Sequence, residues 1–484
     1  MSFVSAEFIV FALIVIPLYF LVAQRWRLIA LLVASYVFYA GWRAPYLLLI
    51  VFSTLVDYLA ALGIHRTPQE QVSRRRLLLL CSIAANLGVL FVFKYFNLFS
   101  AAASDVAAVL GISHEARLLH LALPVGISFY TFQSMAYTID VYRGRLSACQ
   151  NLGTFALYVA FFPQLVAGPI ERATNMLPQF ARKLAVDYDR IVDGLRFVLW
   201  GLFKKLVTAD RLAIYVDAVY GDLQSHSGLS LIVATLFFTF QIYCDFSGYS
   251  DIAIGLARLM GFDLMRNFKR PYLARSISEF WRRWHISLST WFRDYVYISL
   301  GGNRKGLPRQ VFNILLVFAL SGLWHGANWT FAIWGIYHGA IVAIETVLRA
   351  CRVRLVPRNA LGHMIKLFCA FAFVYIGWIL FRANRIEDIE YILQHISDFS
   401  EGFAGLTDPF SAGLLPQRLE FFISFVLIGF LLAVDVVDEH AGINSHFARL
   451  PVVWRWTVYY LFLIAIYISL FYQATKQEFI YFQF

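Results

Sequence analysis

Apolar runs follow one another along almost the whole chain, with little between them. They fall near residues 8–23, 28–41, 46–64, 77–99, 118–139, 152–170, 195–208, 229–243, 311–323, 329–348, 363–381, 421–437 and 454–472. A helix needs about 20 apolar residues to cross the ~30 Å hydrocarbon core of a bilayer. Several runs are too short or too polar for that. The pattern therefore predicts an all-α, polytopic helical membrane protein with about 10–11 crossings plus re-entrant and interfacial helices. Residues 1–484 are expected to form one membrane domain.

The loops carry an orientation signal. Arg25 and Arg27, Arg66 and Arg74 to Arg76, then Arg143 and Arg145 mark the first, third and fifth loops as cytoplasmic, because basic residues tend to stay on that side. Met1 to Glu7 holds no Lys or Arg before the first run, which argues for an uncleaved anchor with its N-terminus outside. Between 258 and 309 stand Arg258, Arg266, Lys269, Arg270, Arg275, Arg282, Arg283, Arg293, Arg304, Lys305 and Arg309 against only Asp263, Glu279 and Asp294. That block, 258–310, is expected on the cytoplasmic face. Residues 384–420, with seven acids and two arginines, are expected to form an extracytoplasmic loop.

Within the basic block, Ser276–Leu300 has helical periodicity. Ser276 and Glu279 make a capping-box pattern. At 100° per residue, Trp281, Trp284, His285, Leu288, Trp291, Phe292 and Tyr295 share an arc of about 120°. Arg282, Arg283, Arg293 and Asp294 take the other side. A tryptophan-rich face opposite a charged one describes a helix lying at the membrane interface, with His285 turned inward.

Composition sharpens the class. The chain has 484 residues, 60% hydrophobic and 15% charged, against about half and a quarter for a soluble domain. Its net charge of +11 lies in loops between spans, so it reports orientation and not nucleic-acid binding. The five cysteines form no C-x-x-C pair, which leaves neither a disulfide framework nor a zinc site.

Candidate chemistry centres on Leu320-Ser-Gly-Leu-Trp-His-Gly-Ala-Asn-Trp329. It joins two apolar arms flanked by Arg304, Lys305 and Arg309 on one side and Arg349, Arg352, Arg354 and Arg358 on the other. The first arm, about 13 residues, spans only ~20 Å, which places His325 inside the membrane. Intramembrane ionisable residues are functional candidates. Held from water, a neutral histidine can accept a proton; the alternative is a histidine that hydrogen-bonds a neighbouring helix. Gly322 and Gly326 permit close backbone approach or a helix break. The polar run Gln241–Asp251, with Asp245 and Tyr249, either lines a polar path or pairs with nearby arginines. Pro163-Gln164 and Ala167-Gly-Pro-Ile170 imply irregular backbone, tolerated at membrane depth where it is buried in protein or lines a cavity. There is no G-x-S-x-G, H-E-x-x-H, Walker A or dinucleotide fingerprint. His325 and His338, thirteen residues apart, are poor joint ligands, and nothing points to a metal.

Taken together, several stretches resemble the membrane-bound O-acyltransferases (MBOATs), and most closely the bacterial branch that acetylates alginate and related exopolysaccharides. They are Phe162-Pro-Gln, Ala167-Gly-Pro-Ile-Glu-Arg172, Tyr243-Cys-Asp-Phe-Ser-Gly-Tyr-Ser-Asp-Ile-Ala-Ile-Gly255, Pro271 to His285, Ser321 to Trp329 and Phe479-Ile-Tyr-Phe-Gln-Phe484. The resemblance implies an MBOAT-like fold with a central tunnel, His325 as catalytic histidine and His285 at a second polar position. Trp324, Asn328, Asp245, Tyr249, Arg282 and Arg283 become expected tunnel or substrate residues, the two arginines either meeting an anionic donor or facing solvent and lipid. It further implies a multi-pass protein of a bacterial inner membrane, with no bound cofactor. Such a protein would move acetyl from cytoplasmic acetyl-CoA toward an alginate- or cellulose-like exopolysaccharide, aided by periplasmic partner proteins. A rival within the fold takes its acyl group from a carrier protein to D-alanylate teichoic acid. A reading from another class is a transporter or polymer channel.

Overall fold

The computed structural model describes residues 1–480 except 114, 183–184, 354, 358, 401, 404–405, 413–414, 442–446, 448 and 473–478. Arg354, Arg358 and the motif residues 481–484 lie outside the described residues. The described chain is helical without strands. In order come α1 (Ala6–Leu21), α2 (Arg27–Arg43), α3 (Leu47–Arg66), α4 (Val72–Leu90), α5 (Phe96–Val109), α6 (Ile127–Tyr142), α7 (Leu152–Ala160), α8 (Ala173–Phe180), α9 (Tyr188–Leu202) and α10 (Asp210–Gly221). They are followed by α11 (Gly228–Leu259), α12 (Ile277–Arg283), α13 (Ile286–Trp291), α14 (Leu307–His325), α15 (Trp329–Ala350), α16 (Ala360–Arg382), α17 (Ile386–His395), α18 (Gln417–Ala441) and α19 (Val452–Tyr472).

Among the described residues, eight helical stretches are long and apolar enough to cross a membrane: 24–66, 72–109, 228–259, 307–325, 329–350, 360–382, 417–440 and 452–470. The first holds two helices, because extended backbone at Arg43 separates α2 from α3. The runs expected at 118–139 and 152–170 differ from simple spans. In the first, only α6 is helical. In the second, Pro163 and Pro169 cannot donate a backbone N–H, and the chain leaves α7 for an irregular stretch over 161–172 that is almost wholly buried.

The helices form two compact units, residues 1–198 with 250–265 and residues 199–249 with 266–484. In the first, α3, α4 and α6 enclose a polar knot. Asp57 accepts from Ser82, from Asn86 (2.9 Å) and from Thr138 (3.2 Å). Three donors disperse a carboxylate that would otherwise be costly in an apolar bundle.

Glu171 ends the irregular stretch. It accepts from the Met265 amide and from Asn175 (2.8 Å). Burial, which disfavours the ionised form, raises its carboxyl from 4.5 to about 7. A carboxyl raised on folding stabilises below its ordinary value and ceases to as pH climbs through the folded one. The wild-type protein in detergent should therefore melt progressively lower between pH 5 and 8. Glu171→Gln should flatten that slope, and parallel melting curves for the two proteins would refute the assignment.

The second unit contains α14 and α15, packed along their length through glycine. A Cβ at Gly335 would lie 3.2 Å from the Gly322 Cα and closer still to the Phe318 carbonyl. Small residues of this kind let membrane helices approach closely. With 19 residues, α14 exceeds the expected 13-residue arm, reaching about 28 Å at 1.5 Å per residue. Its length alone thus suffices to cross, and shortness no longer argues the depth of His325. The polar run 241–251 is helix within α11.

Candidate active site

The segment bearing His285 is not one continuous helix. α12 begins where the Ser276 hydroxyl accepts from the Glu279 amide (3.0 Å), but the Glu279 carboxylate reaches the Arg275 amide instead of closing the box on Ser276. After Arg283 the helix stops. His285 adopts the left-handed region (φ 40°, ψ 55°), and α13 restarts behind it. Strain of this kind in a non-glycine residue persists only where its surroundings enforce it. Here they are Asn267 and Lys269. The Ile286 and Ser287 amides donate to the Asn267 carbonyl (2.9 Å) and side chain (3.3 Å), and the Lys269 amide donates to the Arg283 carbonyl (2.9 Å). The expected apolar face survives the break: Trp281, Trp284, His285, Leu288, Trp291, Phe292 and Tyr295 are all buried.

The front of α12 is held from α15. Glu345 accepts from the Ile277 amide (2.7 Å), the Ser278 amide (3.0 Å) and the Ser278 hydroxyl (2.5 Å). A carboxylate at a helix start satisfies orphan N–H groups and meets the positive end of the dipole. Glu345→Ala should cost about 1–2 kcal/mol, lowering the melting temperature and slowing turnover several-fold. Glu345→Gln, which keeps one acceptor oxygen, should recover part of both, and an unchanged Glu345→Ala protein would remove this contact from the account.

His325 ends α14, and the Asn328 side chain caps α15 by accepting from the Thr330 amide (3.1 Å). The turn brings His325 to His285, with ring centroids 6.2 Å apart. Both are interior, His285 0% and His325 5% exposed. Trp324, Trp334 and Phe381 surround His325 at 5.0, 5.0 and 5.5 Å, and Phe246 of α11 meets His285 at 4.6 Å. Burial, and after it the neighbouring His325, hold His285 well below the usual imidazole pKa. It is neutral at physiological pH, offering one donor and one acceptor nitrogen.

The other expected residues sort by position. Trp324 is in the histidine cluster. Asn328 is committed to backbone, since its amide also donates to the Asn384 carbonyl (2.7 Å). Arg283 pairs with Glu279 (2.7 Å) and Glu439 (3.0 Å), whereas Arg282 is exposed. Asp245 and Tyr249 face a different cluster. There Lys205 bridges Asp245 (2.5 Å) and Asp210 (2.8 Å), and the Ile480 amide donates to Asp245 (2.7 Å). Phe479 stacks edge-on against Tyr249. Phe479 and Ile480 are buried, so these two belong to the interior. Close passage of α9 and α11 makes the cluster possible: a Cβ at Gly248 would lie 2.8 Å from the Gly201 carbonyl. Sequence reasoning missed Lys205, Trp334, Phe381 and Glu345. Of these, Lys205 and Glu345 carried a signal, each as a charge inside an apolar run.

A family model described as MBOAT, membrane-bound O-acyltransferase family, matches residues 144–383, a span that includes both histidines. The chain is 43% identical over 388 residues to the "Probable alginate O-acetylase AlgI" of Pseudomonas aeruginosa, covering 80% of this chain and 73% of that one. It is 36% identical over 390 residues to the peptidoglycan O-acetyltransferase of Helicobacter pylori, covering 75% and 72%. It is 26% identical over 271 residues to the teichoic acid D-alanyltransferase of Bacillus subtilis, covering 54% and 69%.

Proposed function

Because the chain belongs to the membrane-bound O-acyltransferase family and is a multi-pass membrane enzyme, we propose that it moves acetyl from cytoplasmic acetyl-CoA to an alginate-like exopolysaccharide with His325 as general base. The observation that carries the reading is the meeting of His325 and His285, delivered by two separate segments into one buried aromatic cluster. A thioester is already activated, so the barrier lies in making the acceptor hydroxyl nucleophilic. His325 takes the hydroxyl proton as the oxygen attacks the acyl carbon. The tetrahedral intermediate then collapses, the carbon–sulfur bond breaks, and the leaving thiolate recovers the proton from the imidazolium. Neutral His285 orients the donor. Such proton transfer typically contributes about 10²–10⁴-fold in rate.

The donor enters on the basic block, 258–309, where exposed Arg282 is available to an anionic nucleotide and Arg283 is not. In this reading the protein sits in a bacterial inner membrane with its N-terminus outside, and periplasmic partner proteins complete transfer to the polymer. The names of the relatives matched over three quarters of the chain or more favour acetyl over D-alanyl. The test supplies membranes containing the protein with acetyl-CoA labelled on its acetyl group, or with a labelled acyl carrier protein, beside alginate and peptidoglycan acceptors. Label from acetyl-CoA in alginate is expected. Label in peptidoglycan would change the acceptor, and consumption of the carrier alone would overturn the donor.

A further inference from the structure

Among the buried tryptophans around the histidines, the indole N–H groups of Trp334 and Trp281 have no acceptor among the described residues. The Trp334 side chain is 1% exposed. Its ring centroid lies 5.0 Å from that of His325, nearly perpendicular at 87°, and 5.5 Å from that of Trp281. An indole N–H only donates, and buried donors without partners are rare enough to call for an explanation. Of the rings beside Trp334, Phe381 at 5.1 Å and Trp378 at 6.3 Å have no acceptor nitrogen, and the His338 imidazole at 5.3 Å does not accept from the Trp334 N–H. An acceptor supplied by a ligand would complete the site.

Acyl transfer requires such a donor. As the hydroxyl oxygen attacks, the carbonyl π pair moves onto oxygen, and that developing charge is stabilised by a hydrogen-bond donor fixed in advance. Asn328, the nearest side-chain amide in sequence, already donates one of its two N–H groups to the Asn384 carbonyl. We propose that the Trp334 indole N–H is a catalytic donor, receiving the acyl carbonyl oxygen beside His325 and holding it as the oxyanion. In the step, the acceptor proton passes to His325, the new carbon–oxygen bond forms, and the oxygen held by Trp334 carries the charge. Collapse returns that pair to the carbonyl, expels the thiolate, and the thiolate takes the proton from His325. The proposal rests on the acyl-transfer reading and adds to it the group that stabilises the transition state.

The test replaces Trp334 with benzothienylalanine, which keeps the bicyclic shape and lacks the N–H, alongside Trp334→Phe and His325→Ala. Turnover of acetyl-CoA, KM and melting temperature are measured for each purified protein. The expected result is a kcat lower by about 10²-fold for the isostere, with KM and melting temperature unchanged. An isostere with wild-type kcat overturns the proposal, including the case where Trp334→Phe alone is slow, since packing would then be the cause. If His325→Ala also turns over normally, the fault lies in the acyl-transfer reading itself.

Discussion

His325→Ala is expected to reduce acyl-transfer turnover by about 10²–10⁴-fold while leaving the melting temperature within a few degrees of wild type. The two halves of this expectation have separate causes. His325 is the last residue of α14, and the helix ends there because Gly326 turns extended, so the imidazole is not needed to hold the hairpin. The hairpin is held by the glycine contacts of Gly322 and Gly335 and by the Asn328 cap. Truncating the ring removes the proton acceptor from a buried cluster. Paired rates and melting curves check this, and a variant that loses activity only because it unfolds would argue against a chemical role.

Lys205→Met should be the most destabilising single substitution discussed. Lys205 is 1% exposed between Asp245 and Asp210, themselves 5% and 3% exposed. Removing the ammonium leaves two carboxylates buried together without a cation, a loss of about 3–5 kcal/mol for breaking such a pair. The effect should reach Phe479 and Ile480 as well. Asp245 accepts from the Ile480 amide, and the Lys205 ammonium lies 4.4 Å from the Phe479 ring. Thermal melting and the monodisperse fraction in detergent should both fall sharply. Neutralising the carboxylates too, in Lys205→Met with Asp210→Asn and Asp245→Asn, should restore much of the loss. A single variant as stable as wild type would contradict the account.

Much of this was legible in the sequence because it is local. The tryptophan face of residues 281–295 obeys helical spacing, and every residue assigned to it is buried. The glycines flanking His325 announced close approach and a helix end, and both occur. What the periodicity hid was the break at His285. A left-handed residue between two short helices displaces later side chains only modestly, so the hydrophobic pattern continues as though nothing had happened. The hydrogen bonds that enforce the break come from Asn267 and Lys269, 14 to 20 residues before their partners Arg283, Ile286 and Ser287. Lys205, Glu345 and Trp334 were hidden for a related reason. Their roles depend on partners 40, 68 and 9 residues away, at Asp245, Ile277 and His325, brought together by helix packing that no local pattern encodes.

The most direct test of the central claim is release of free coenzyme A from acetyl-CoA by purified protein with a soluble hydroxyl acceptor present, wild type beside His325→Ala. The account predicts acceptor-dependent release by the wild type and almost none by the variant at equal folded concentration. Equal release by both would remove His325 from the chemistry and contradict the mechanism.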